Sequence, residues 1–91
     1  MAVLVTADVP GQTEEGLAQM MSVLEPVLRQ AKGFIAVGHG VSADGIRCFE
    51  VWESQEAANR FFSDTLQGSL QKANVNAGQP RVFEVFNTMQ P

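Results

Sequence analysis

Four short segments rich in β-branched and aromatic residues predict four β-strands. The first segment is stopped by Pro10-Gly11, and the second and third are separated by Ser42-Ala43-Asp44-Gly45. An Asp-Gly pair between two apolar runs is a strong hairpin signal, because both residues tolerate positive φ. The predicted strands are residues 2–9, 34–41, 46–53 and 81–88.

Between these strands, hydrophobic residues recur at helical spacing in two places. The first helix is predicted to begin after Thr13 as its N-cap and to end near Lys32-Gly33, and the second to begin after Ser54 and extend to about residue 66. Pro26 lies inside the first helix, so we expect a kink near Glu25 or a break into two helices. A short helical piece is predicted through residues 70–73, followed by a loop over residues 74–80.

The resulting order is β-α-β-β-α-β, which is the order of the ferredoxin-like α+β fold. The 91 residues are enough for one domain, residues 1–91. Its expected architecture is a four-stranded antiparallel sheet with both helices on one face.

The predicted strands are apolar on both faces, which a sheet with one solvent-facing side would not be. Strand 3 carries Phe49 and Val51 on one face and Cys48 and Trp52 on the other. Strand 2 sets Ile35 and Val37 against Phe34 and Ala36, and strand 4 sets Phe83 and Val85 against Val82 and Phe86. Since two helices cover only one face, we expect a homodimer in which the other faces pack together.

Composition narrows the possible partners and location. The net charge of −4 gives no basic surface for nucleic acid, and the chain has neither an apolar run long enough to span a membrane nor a basic N-terminal region typical of a signal peptide. Cys48 is the one cysteine, so no internal disulfide can form. A cytoplasmic protein is therefore expected, with no nucleic acid or membrane as partner.

One polar cluster interrupts the apolar strands. The one histidine, His39, lies in the middle of strand 2. Centring the hairpin on Asp44-Gly45 places His39 directly opposite Glu50. Cys48 and Trp52 would then lie on the same face of the sheet.

This cluster predicts the polar floor of a pocket for a small aromatic or hydrophobic compound. His39 could act as general acid or base, Glu50 could orient it, and Trp52 could form a flat wall. The alternative is a structural ion pair at the edge of a hairpin, with Trp52 in the core and Cys48 a small buried hydrophobe. No metal site is expected, because a strand face rarely offers tetrahedral geometry without a further ligand.

The segment GFIAVGHGVSADGIRCFEVWESQEAANRFF, residues 33–62, resembles the centre of the antibiotic-biosynthesis-monooxygenase-like family of dimeric α+β barrel proteins. The run from Val51 to Glu56, leading into Phe61, is similar to the family's signature at the junction of strand 3 and helix 2. The tail QPRVFEVFN also resembles small members of this group. The resemblance implies a homodimer and a cofactor-independent oxygenase, a haem-degrading enzyme, or a small binding or stress-related protein.

The chain departs from the family's pattern at several functional positions. Oxygenase members carry an asparagine where this chain has Cys48, and a tyrosine on the following helix, whereas this chain contains no tyrosine. Haem-degrading relatives have tryptophan at the position of Phe61 and a histidine ligand near Gln71. Haem cleavage is therefore not expected, and no cofactor is predicted.

Two hypotheses remain open from the sequence. The first is an enzyme, a cofactor-independent monooxygenase or an acid/base catalyst, with His39 and Glu50 as catalytic residues and Trp52, Cys48, Phe61 and Phe62 lining the ligand site. The second is a non-catalytic dimeric module, with Phe61, Phe62 and Trp52 closing a shallow or filled cavity. Both the enzyme and a small-molecule-binding module would take the same class of ligand, a small hydrophobic or aromatic compound.

Overall fold

The structure is a computed structural model that describes residues 1–43, 45–66, 80–87 and 89. The predicted helical piece through residues 70–73, the loop over residues 74–79 and Asp44 lie outside the described residues. The order β-α-β-β-α-β is confirmed. The elements are β1 (Val3–Pro10), α1 (Glu14–Gln30), β2 (Phe34–Ser42), β3 (Gly45–Trp52), α2 (Gln55–Phe61) continued by a π-helical turn (Phe62–Leu66), and β4 (Arg81–Glu84).

The strands form one antiparallel sheet in the order β2-β3-β1-β4, with both helices packed on one face. The predicted ferredoxin-like α+β architecture is therefore confirmed. β4 is shorter than predicted and ends at Glu84, although the backbone N–H of Val85 still donates to the carbonyl of Ala2 at 2.8 Å. None of the helices in the described part of the chain has the length and hydrophobicity needed to cross a lipid bilayer.

Both helix starts follow the predicted capping chemistry. Thr13 Oγ1 accepts the backbone N–H of Gly16 at 3.0 Å, and Ser54 Oγ accepts that of Ala57 at 3.1 Å. Each bond satisfies a donor that has no partner within its helix. The caps therefore fix where the chain leaves each strand connection and enters a helix.

Of the two alternatives expected at Pro26, the break into two helices is wrong, since α1 is one helix from Glu14 to Gln30. Proline removes the donor that would bond the carbonyl of Ser22, but both residues are exposed, so water can solvate that carbonyl. Leu24 and Leu28 are buried on either side of the proline and hold the helix against the sheet.

The core lies between the helices and the sheet and is centred on Trp52, whose side chain has no exposed surface. Its indole meets the ring of Phe34 edge-on, with centroids 5.4 Å apart, and the tilted ring of Phe61 at 5.2 Å. Such aromatic pairs add to the free energy gained from burial alone. The other buried members of this cluster are Val3, Leu24, Leu28 and Ala58.

The register of the β2–β3 hairpin differs from the prediction. Ser42 pairs with Gly45, so the turn is centred one residue earlier than Asp44-Gly45, and His39 lies opposite Cys48 instead of Glu50. Gly45 is needed for another reason. Its φ is +145°, and a Cβ there would lie 2.8 Å from the carbonyl oxygen of Val9, so a glycine lets β3 approach the end of β1.

The face of the sheet that points away from the helices, here called the open face, is covered by no other element of the single chain among the described residues. One end of this face is apolar. Phe49 and Phe83 are 42% and 44% exposed on this face. The ring of Phe49 lies over Gly38, where a Cβ would overlap it. The predicted faces of β2 are wrong, because a bulge between Phe34 and Ala36 turns both Phe34 and Val37 toward the helices.

Candidate functional site

A cleft of about 390 Å³ lies between α1 and the edge strand β2. Ligand pockets in proteins begin at roughly 300 Å³ and are mostly apolar with a few polar groups. The cleft has this character. Its apolar lining comes from Met21, Leu28, Phe34, Ala36 and Val37, and its polar lining from Glu25, Arg29 and His39.

His39 is the predicted site residue that lines this cleft. It projects from β2 on the helix-facing side of the sheet and is half-buried. Burial lowers its pKa below 6.5, because desolvation disfavours the imidazolium. The imidazole is therefore mostly neutral at pH 7, which is the form that can accept a proton.

Glu50 shares the helix-facing side of the sheet with His39, but it lies opposite Val37 on β2. No hydrogen bond joins it to the imidazole. Instead, Trp52 Nε1 donates to Glu50 Oε1 at 2.9 Å. Burial raises the pKa of Glu50, and this bond from Trp52 opposes part of the rise. The predicted direct His39–Glu50 pair is thus wrong, because the register is shifted.

Cys48 is the residue directly across from His39, and its thiol donates to the carbonyl of Ala7 at 3.4 Å. Its pKa is raised, first by burial and then by the negative charge of Glu50. A raised pKa keeps the sulfur as a thiol at neutral pH and makes it a poor nucleophile. The geometry therefore gives Cys48 a packing role beside the imidazole.

The three predicted aromatic ligand-binding residues occupy different environments. Trp52 is fully buried and offers no exposed surface to the α1–β2 cleft. Phe61 is buried in the core, and its edge borders a second cleft of about 330 Å³ with Pro26, Val27, Gln30 and Ala31. Phe62 is 41% exposed and borders neither cleft. Of the six predicted site residues, His39 alone lines the α1–β2 cleft.

The α1 side of the cleft was missed by the sequence reasoning. Met21, Glu25, Leu28 and Arg29 follow one another at helical spacing and so lie on one face of α1. Arg29 Nε and Nη2 both donate to Glu25 Oε1, at 3.1 and 2.7 Å. An i, i+4 pair of opposite charge beside apolar residues was the available signal, although such pairs are common on solvent-facing helices. Within the described residues, no group of His, Cys, Asp and Glu side chains is arranged to hold a metal ion.

Glu50→Gln is expected to stabilise the protein at neutral pH. The folded-state pKa of Glu50 lies above the unfolded value, so the folded state binds more protons between the two values and stability falls as pH rises through that range. Glutamine removes this cost and still accepts from Trp52. Denaturation at pH 4 and pH 7 should show a gain that is larger at pH 7. A gain independent of pH would contradict this account.

Comparison with known proteins identifies the fold. No protein-family model matches the chain, and no curated protein matches it significantly. Solved structures do match. SnoaB, a cofactor-independent oxygenase from Streptomyces nogalater, is 10% identical, with a TM-score of 0.72, over 99% of this chain and 97% of its own.

Two further structures bear antibiotic biosynthesis monooxygenase as a provisional name. The protein from Chloroflexus aurantiacus is 13% identical with a TM-score of 0.69, over 99% of this chain and 98% of its own. The protein from Deinococcus radiodurans is 14% identical with a TM-score of 0.69, over 100% and 98%. The chain therefore has the fold of the antibiotic biosynthesis monooxygenase-like proteins, as the sequence resemblance implied.

Proposed function

We propose that this protein is a homodimeric, antibiotic-biosynthesis-monooxygenase-like protein that binds a small aromatic or hydrophobic compound in the α1–β2 cleft, with His39 as its acid/base group. The observation that carries the proposal is the position of His39. A neutral imidazole projects into an otherwise largely apolar cleft of ligand size.

The chemistry open to this cleft is proton transfer. A neutral imidazole within reach of a bound phenol or an acidic C–H group can remove its proton. The resulting anion is the species needed for isomerisation of the compound and for its direct reaction with dioxygen. Proton removal by imidazole does not itself require a cofactor. Glu50 is proposed to assist from the same sheet face through its charge, since it does not contact the imidazole.

The second part of the proposal, a homodimer, rests on the open sheet face. Two large apolar side chains on that face, Phe49 and Phe83, are 42% and 44% exposed in the single chain. Contiguous exposed apolar area of this kind marks an interface in soluble proteins. A second copy offers a surface of matching character, and sedimentation at micromolar concentration would measure the mass directly.

A non-catalytic binding module is the competing proposal, and one observation favours it. Trp52 and Phe61 fill the space between sheet and helices, so the remaining cleft is at the edge of the sheet and not in its centre. An edge cleft admits water, which weakens electrostatic control of a reaction. The two proposals differ in what the loss of His39 should do.

The deciding experiment is a thermal-shift screen against quinones and polyphenols, followed by turnover measurements on His39→Ala. We expect at least one aromatic compound to raise the melting temperature of the wild type. For an enzyme, His39→Ala should lower kcat by about 10²–10⁴-fold, the usual contribution of a general base. Its melting temperature without ligand should stay near that of the wild type, because His39 is only half-buried.

Gln19→Ala is the matched control, because Gln19 is exposed on α1 and does not line the cleft. It should bind and turn over like the wild type. If the wild type binds an aromatic compound but does not turn it over, or if His39→Ala leaves kcat unchanged, the acid/base role of His39 is wrong, and binding without turnover would support the non-catalytic module. If no aromatic compound raises the melting temperature, the ligand proposal is wrong.

A further inference from the structure

The open sheet face has a polar end, formed by Thr6, Asp8, Arg47 and Arg81. Arg47 Nη2 donates to Asp8 Oδ2 at 2.9 Å across β3 and β1. Arg47 Nη1 also donates to Thr6 Oγ1 at 3.4 Å, and the Thr6 hydroxyl donates to the carbonyl of Cys48 at 3.0 Å. The side chains of Thr6, Asp8 and Arg47 are therefore held by hydrogen bonds within the chain before any partner arrives.

Asp8 and Arg47 retain unused bonding capacity. Their side chains are 40% and 47% exposed. Asp8 Oδ1 is shielded from water and has no hydrogen-bond partner within the described part of the chain. An exposed ion pair of this kind stabilises a single chain by at most about 1 kcal/mol. Because the pair lies beside the apolar end of the open face, it is placed to contact a second copy of the chain that packs on that face.

Symmetry decides what would meet this pair in a dimer. The two-fold axis relating two identical packed sheets lies in the plane between them. An axis across the strands would set the charged end of one sheet on Phe83 and Leu4 of the other, which buries the Asp8–Arg47 ion pair against apolar side chains that offer it no further hydrogen bond. An axis along the strands brings like ends together, so the charged end of one sheet meets the charged end of the other.

With the axis along the strands and near the middle of the sheet, β1 of one copy lies over β3 of the other. Asp8 and Arg47 lie opposite each other on these two strands. Each copy's Asp8 then faces the second copy's Arg47, and the reverse. The pair is complementary to itself under the symmetry of the dimer.

We propose that Asp8 and Arg47 form a reciprocal four-charge network across the two-fold axis of the homodimer and fix the register of its two sheets. The inference rests on the proposed homodimer and adds the residues that determine its geometry. A carboxylate oxygen accepts more than one hydrogen bond, so Asp8 Oδ2 can accept from the second guanidinium while it keeps its bond to Arg47 of its own chain. The network compensates the cost of removing these charges from water.

Charge reversal in separate chains tests the network. Asp8→Lys alone and Arg47→Glu alone each place like charges across the axis, so each homodimer should weaken at least tenfold. In an equimolar mixture, the new lysine faces the new glutamate, and the native Arg47 faces the native Asp8. Native mass spectrometry should then show the mixed dimer dominating both homodimers.

The matched control is the exposed ion pair on α2 in which Arg60 Nη2 lies 3.1 Å from Glu56 Oε1. This pair lies outside the open face. Mixing Glu56→Lys with Arg60→Glu should show no preference for a mixed dimer. If wild type is a monomer, both the homodimer and the network are wrong. If wild type is a dimer but the Asp8→Lys and Arg47→Glu chains pair statistically, the network alone is wrong.

A milder variant covers the case in which charge reversal unfolds a chain. Asp8→Asn keeps the size of the side chain and most of its hydrogen bonding. It should raise the dimer dissociation constant about tenfold while thermal unfolding, followed by circular dichroism, stays cooperative. An unchanged dissociation constant would overturn the network.

Discussion

Replacing Trp52 with alanine is expected to lower the free energy of unfolding by about 3–5 kcal/mol, the range measured for truncating large buried aromatics. Trp52 has no exposed surface and packs between Phe34 and Phe61. Its removal leaves a cavity that the sheet and the helix α1 cannot easily close. It also removes the indole N–H that donates to Glu50, so a half-buried carboxylate loses its hydrogen bond. Urea denaturation measures the loss.

Two comparisons separate these causes. Trp52→Phe keeps most of the ring but loses the donor to Glu50, so it should cost less than Trp52→Ala, and adding Glu50→Gln should recover part of that cost. Phe62→Ala removes an aromatic ring that is 41% exposed and should change the free energy of unfolding by less than about 1 kcal/mol, as surface substitutions generally do.

The same experiment tests the ligand role predicted for Trp52. A core residue should affect stability first, and ligand affinity only through unfolding. If Trp52→Ala lost little stability but abolished the binding of an aromatic compound, Trp52 would be a wall of the site, as the sequence analysis proposed. Its complete burial favours the core role.

The fold could be predicted because its signals are local. Thr13 and Ser54 bond the first turns of their helices, and this chemistry is visible in the sequence as a capping residue before an apolar helical pattern. Pro26 was misleading because its cost depends on whether the freed carbonyl can be solvated, and that depends on which side of the helix faces water. Exposure is a property of the packed chain and cannot be read from one proline.

The site was predicted less well because it depends on register. The sequence placed His39, Cys48, Glu50 and Trp52 on one face, and the structure agrees with that grouping. It did not find the direct neighbours. Gly45 pairs with Ser42 and lies close to β1, so it is not at the centre of the turn. The pairing of β2 and β3 is therefore shifted by two residues from the predicted one. Such a shift preserves the face of each side chain but changes every pair.

The cleft itself could not be predicted, because it needs α1 and β2 together. The sequence singled out His39 because Glu50 was expected to lie opposite it. In the structure, His39 is a candidate site residue because it lines a cleft whose other wall is α1. The bulge between Phe34 and Ala36 sets which β2 side chains face that helix. Neither the bulge nor the packing of α1 has a residue signature in this chain.

Phe49→Lys is expected to convert the proposed dimer to monomers at micromolar concentration. Phe49 lies on the central strand β3, on the open face, with its ring over Gly38. Losing an aromatic anchor and burying an unpaired charge costs about 2 kcal/mol or more at each of the two equivalent positions. Together these costs raise the dissociation constant by about a thousandfold, since about 1.4 kcal/mol corresponds to a factor of ten.

Sedimentation velocity measures this change, and Val41→Lys is its control. Val41 is 75% exposed on β2, more than Phe49, but its pairing with Ile46 puts it on the helix-facing side of the sheet. The control adds the same charge to an exposed apolar strand residue, so a general effect of lysine on association would appear in both variants. Loss of the dimer in Phe49→Lys alone would assign the interface to the open face. Equal sedimentation of Phe49→Lys and wild type would show that this face is not where two chains meet, because a lysine at its centre could not be buried without a partner.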